Sequence, residues 1–229
     1  MADELADVTT GGLVPPPGVL RAWWQGDPAE GDAGLPDGVV GNSRLTGLVA
    51  AVLLVVLAAE GVTILGVRQM LQIHVFIGML LVPLVGLKVA STSYRIGRYY
   101  QGDAAYLRKG PPPLVLRVIG PFVGLTSVAV LGTGITALLV GQDAGQQWVQ
   151  VHKISFFVWF ALMAVHVLGH LRETPRLAFG DWRRGVVRRV SGIRARLVSV
   201  GLAIAVGVGL GVIAIGWASS WHGHELFRR

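Results

Sequence analysis

The sequence predicts an all-α, polytopic transmembrane helical bundle, and three observations carry that reading. Apolar residues make up 52% of the 229 positions and charged residues 14%, with a mean hydropathy of +0.59. Five apolar runs reach the roughly 20 residues that a helix needs to cross a hydrocarbon core of about 30 Å. These runs are apolar on every face and carry Gly, whereas barrel strands would alternate at every second residue. Helices are therefore the expected way to satisfy the backbone in lipid.

The first 43 residues precede any span and read as a disordered, acidic, Pro-rich tail. Positions 1–42 hold seven carboxylates, one Arg and the run Pro15, Pro16, Pro17. They lack the basic start, apolar core and small-residue cleavage site of a signal peptide, so the first helix is expected to insert uncleaved. The spans are expected at 45–67, 70–92, 114–140, 149–171 and 197–217, giving a helical domain over 44–218 and a short tail over 219–229. In the third span, Pro121 and Arg117 near its start and Gly132 and Gly134 near its middle are read as shaping packing. The fifth carries Gly207 and Gly211 at GxxxG spacing, which predicts close helix contact within the chain or in an oligomer.

A net charge of +7 could suggest nucleic acid, but its placement is topological. Arg95, Arg98, Arg108 and Lys109 lie between the second and third spans, and Arg172, Arg176, Arg183, Arg184, Arg188, Arg189, Arg194 and Arg196 between the fourth and fifth. The opposite loops hold only Arg68. The positive-inside rule then puts the amino terminus in the cytoplasm and the carboxyl terminus outside a plasma (inner) membrane, with Trp148, Trp217 and Trp221 at the outer interface. The lipid bilayer is the expected partner and nucleic acid is not. The dense basic run from Trp182 to Arg196 is read first as an anchor and second as a docking surface for anionic lipid or an acidic partner. Cysteine is absent, which excludes thiolate-bound iron–sulfur clusters, covalently attached haem and disulfides in this chain but leaves non-covalent haem open.

The histidines carry the functional signal. His152 and His166 are fourteen residues apart; at about 100° per residue the helix returns to within roughly 40° of its starting direction, and the two rings sit roughly 21 Å apart in depth. The second and fourth spans run parallel, so His74 and His152, each about one turn in, share an outer layer. Lys88, fourteen beyond His74, shares an inner layer with His166, and His170 lies one turn further in. Two neutral imidazoles facing each other across a bundle are what a b-type haem needs, and Gly78, one turn below His74, would make room for a macrocycle. For a single such histidine, a helix-to-helix hydrogen bond or a protonatable transport group is the alternative.

With His74, the HX13H pattern of His152 and His166, and the multi-span layout, residues 45–171 resemble the four-helix transmembrane cytochrome b superfamily. That family includes the membrane subunits of hydrogenases and formate dehydrogenases and related quinone-linked cytochromes. The resemblance implies a four-helix haem core plus a fifth helix. It implies electron transfer between the quinone pool and a redox protein, as a subunit of an oxidoreductase rather than a stand-alone enzyme. It also implies an outer haem b on His74 and His152, and an inner haem for which His166 supplies one axial position. The chain departs from the family pattern at Lys88, which stands where spacing would put the second inner ligand. Lysine ligates iron only when neutral, and pairing with a haem propionate or snorkelling to the cytoplasmic surface are the other readings. Glu60 interrupts the first span and is read as a proton-handling group beside an outer quinone site, or as a hydrogen-bonding group between helices. His170, His222 and His224 are candidate interface residues, the last two also forming an HxH pair able to bind metal. A haem-free scaffold or a small proton-coupled transporter is the competing class.

Overall fold

The computed structural model describes residues 34–110, 114–170, 173–179, 190–219 and 221. The chain divides into units Met1–Leu35 and Pro36–Arg229, and all that follows concerns the second. Among the described residues all regular structure is helical, and five helices are long and apolar enough to cross a membrane: α1 (Asp37–Leu65), α2 (Leu71–Tyr100), α4 (Leu114–Gly141), α5 (Gly145–His170) and α7 (Ile193–Ser219). Two short helices, α3 (Ala104–Lys109) and α6 (Glu173–Ala178), lie between them.

The helix ends follow local chemistry more than hydropathy. α1 begins at Asp37, inside the segment expected to be disordered up to residue 43, and Val39, Val40, Gly41 and Ser43 are buried. Pro36 precedes it with φ −59°, and Asp37 places a carboxylate in the first turn, where the helix dipole favours it. The Asp37 carboxylate also accepts from the Ser191 N–H at 3.0 Å, so this turn is tied to the segment entering α7. α2 likewise runs past the expected end at 92 to Tyr100. It is followed by Asp103, whose carboxylate accepts from the N–H groups of Ala105 and Tyr106 and from Arg98, starting α3. The Ala105 N–H above all, with Tyr106 and Arg98 behind it, holds that carboxyl below its usual range against the opposing push of desolvation. Between α4 and α5 the backbone breaks at Gly141, with φ 71° and ψ −168°. A side chain there would be strained, and the break lets the two spans fold back on each other.

Each hairpin is antiparallel. The turn at 66–70 closes α1 on α2 through Gly66, whose carbonyl accepts from Gln69 and Met70 at 3.0 Å. α4 meets α5 where the Trp159 indole N–H donates to Ser127 Oγ at 2.8 Å and where Gly169 lies against Leu116. An apolar core of Val49, Leu53, Leu81, Leu84, Val200 and Ala203 joins α1, α2 and α7. The expected small-residue contact is present: a Cβ on Gly207 would lie 2.8 Å from the Leu80 carbonyl oxygen, and one on Gly211 would lie 2.6 Å from Phe76 Cδ2 and 3.0 Å from the Phe76 carbonyl. α7 is thus seated on α2 backbone to backbone. Gly201 and Gly209 face open space and take no part.

These contacts generate a paired expectation. Gly211→Leu drives a side chain into Phe76 and should destabilise the detergent-solubilised protein by about 1–3 kcal/mol, whereas Gly209→Leu, with nothing within 4 Å of an added Cβ, should stay within about 0.5 kcal/mol. Thermal midpoints of the two variants check it; equal midpoints would show that α7 does not dock on α2 in this register.

Candidate functional site

The turn at 66–70 and the break at Gly141 determine which side chains can meet. Glu60 and His74 lie about equally far from the first turn, and Val130 and His152 are each eleven residues from Gly141, so each antiparallel hairpin brings its pair to the same depth. The structure does bring them together. His74 Nδ1 lies 2.9 Å from Glu60 Oε1 and 3.0 Å from Thr63 Oγ1. The Thr63 hydroxyl itself has the Glu60 carbonyl at 2.7 Å and Glu60 Oε2 at 3.2 Å as acceptors. On the other hairpin, His152 Nδ1–H donates to the Val130 carbonyl at 2.9 Å, with Thr133 Oγ1 at 3.3 Å. Thr133 in turn contacts Ser155 Oγ at 3.2 Å.

The two histidines face each other across the hairpins, with ring centroids 6.3 Å apart and planes at 73°. Four helices therefore build one site: α1 supplies Glu60 and Thr63, α2 His74, α5 His152, and α4 the carbonyl of Val130 and Thr133. α7 contributes no side chain to these contacts and backs α2 instead. Glu60 is 8% exposed and so is buried with its partners, as a carboxylate in an apolar helix must be.

The hydrogen bonds determine the chemistry of the rings. A carbonyl or carboxylate only accepts, so Nδ1 carries the proton on both, and each neutral ring keeps its lone pair on Nε2. Two such nitrogens are the donors a metal takes from histidine, with Nδ1–H anchored by an acceptor behind it. With about 2 Å from metal to each nitrogen, two imidazoles on opposite sides of one ion place their ring centres roughly 6 Å apart. The observed separation fits that arrangement. Among the described residues no group of three or more His, Cys, Asp or Glu side chains could hold a bare metal ion; the two imidazoles are a donor set of two nitrogens.

Glycines make the room. A Cβ on Gly134 would lie 3.0 Å from His152 Cε1 and 3.2 Å from Nδ1, so the ring occupies the space that a side chain would fill. Gly78, expected to give space to a macrocycle, faces α1 instead, with its added Cβ 3.7 Å from Glu60 Oε1. A Cβ there would make only ordinary van der Waals contact with the carboxylate.

The inner layer is differently arranged. Lys88 Nζ donates to the Thr46 carbonyl on α1 at 2.9 Å, beside a cluster in which Thr46 Oγ1 donates to Ser91 Oγ at 3.2 Å and Asn42 Nδ2 to the Ser91 carbonyl at 3.2 Å. The amine is thereby directed to the α1 backbone. His166 and His170 lie on α5 with ring centroids 4.7 Å apart and planes at 59°, and His166 Nδ1 is buried without a hydrogen-bond partner among the described residues. The backing that both outer rings possess is thus missing at His166. His222, His224 and most of the basic run from Trp182 lie outside the described residues. Thr63, Thr133 and the Val130 carbonyl escaped the reading of the sequence, and Gly134 was read there only as shaping packing; the spacing of three between Glu60 and Thr63 was the legible sign of the first. No family model, curated protein or solved structure matches the chain.

Nitrogen-15 histidine spectra of the ligand-free protein should show His74 and His152 as Nδ1–H tautomers. Gly134→Val should abolish the His152 form, because the ring loses its seat, while leaving that of His74. A His152 signal unchanged by the substitution would contradict the packing described.

Proposed function

We propose that the chain is a membrane b-type cytochrome that passes electrons between the quinone pool and a redox partner, with one haem held by His74 and His152. The observation that carries this reading is the pair of facing imidazoles, 6.3 Å apart and each backed through Nδ1. When bound, the haem would supply one-electron chemistry that no side chain here can perform. The chain's own work is to present the two imidazoles to each other across α2 and α5, to hold each ring through its Nδ1, and to exclude water with apolar helices. Glu60 is the group placed to take up or release a proton at the same depth, beside a quinone. The Trp residues and the basic loops set this site toward the outer leaflet, with the amino terminus in the cytoplasm. A second haem on His166 finds less support, since Lys88 is engaged with α1 and His166 lacks the backing of the outer pair.

One observation favours a second reading, that of a haem-free proton-coupled transporter or scaffold. Glu60, Thr63 and His74 are hydrogen-bonded across two helices, with the His152 ring next to them, and polar groups so grouped inside a membrane can handle a proton.

Haem quantification with a reduced-minus-oxidised spectrum of protein from haem-replete cells separates the two. The cytochrome reading expects sharp b-type bands near one haem per chain, lost in both His74→Ala and His152→Ala. A colourless wild-type protein would exclude it. Proton-coupled transport lost when Glu60 or Lys88 is neutralised would then establish the second reading.

A further inference from the structure

The two facing imidazoles are not equivalent. His152 is backed by a neutral acceptor, the Val130 carbonyl at 2.9 Å. His74 is backed at the same distance by a carboxylate, Glu60 Oε1. The difference is built into the fold: Thr63 contacts both Glu60 Oε2 and His74 Nδ1, and Gly78 of α2 lies next to the Glu60 carboxylate.

We propose that Glu60 is a positioning residue that makes His74 the more electron-rich of two axial ligands and so lowers the reduction potential of the site. This rests on the cytochrome reading. A charged acceptor forms the stronger hydrogen bond, pulls the Nδ1 proton away from the ring, and raises the basicity of the opposite nitrogen. Ferric haem carries one more positive charge than ferrous, so both the richer ligand and the nearby negative charge favour the oxidised state. In a site walled by apolar helices the charge acts with little screening. The carbonyl behind His152 fixes the ring without adding net charge. One ligand is therefore tuned by a side chain and the other by backbone, and only the first can be altered by a substitution that leaves the helices intact.

Redox titration of the purified full chain tests this. Glu60→Gln keeps the shape and an amide oxygen acceptor but removes the charge; the one-electron equilibrium constant for reduction should rise at least about tenfold, or 59 mV. Glu60→Asp keeps the charge but withdraws it by one methylene, and should give a potential between those of wild type and Glu60→Gln. Gly209→Ala on α7, where an added Cβ meets nothing within 4 Å, should leave the potential at its wild-type value. A merely structural Glu60 would alter haem retention and the thermal midpoint without moving the potential. Haem-loaded Glu60→Gln with the wild-type potential overturns this inference and leaves the cytochrome reading standing, whereas wild-type protein without haem overturns both. Should Glu60→Gln not fold, a Glu60→Asp potential equal to that of wild type overturns the inference equally.

Discussion

A carboxylate inside an apolar helix is the constraint on which the site depends. Glu60 at span depth costs about 2–3 kcal/mol unless it is satisfied, and it is satisfied by the His74 ring and the Thr63 hydroxyl. The bond works in both directions: it makes the buried acid tolerable and holds the imidazole in one tautomer and one orientation. Nearly every polar group at this depth is handled in the same way. The indole of Trp159 meets Ser127, and Thr133 meets its own helix carbonyls at Ala129 and Val130. His152 shares the Val130 carbonyl where Gly134 lets it approach. In lipid there is no water to repair an omission, which gives the unpartnered His166 Nδ1 its contrast with the outer pair.

Two hairpins translate that local chemistry into a shared site. The turn at 66–70 and the break at Gly141 set the depth of each pair, and α7 stabilises the arrangement from behind. With Gly207 and Gly211 pressed on Leu80 and Phe76, α7 covers one side of α2, while the side bearing His74 turns to α1 and α5. Gly134 performs the complementary task of leaving room for the His152 ring from the neighbouring helix. Three glycines on two helices thus do what larger residues could not: two permit backbone contact, and one makes a place for a polar ring.

Much of the fold was legible in the sequence because hydropathy and length alone define a span. The ends were less so. Residues 37–43 have too little hydropathy to read as membrane, yet they are helical because Asp37 and the segment from Ser191 hold each other, a contact 154 residues apart in sequence that no window detects. In the site, the period of the helix placed His74 and His152 in one layer, and they do meet. The same arithmetic placed Lys88 with His166, but periodicity assigns depth and face without choosing a neighbour, and the Lys88 amine reaches α1. The Val130 carbonyl was invisible for a different reason: it is backbone, and its availability is announced only by the missing side chain of Gly134.

The most direct measurement is electron paramagnetic resonance of the oxidised, purified protein. The proposed haem held by His74 and His152 predicts a low-spin ferric signal that is lost when either His74 or His152 is replaced by Ala. A high-spin signal from the wild-type protein would contradict the paired-histidine account, as would the absence of any haem iron.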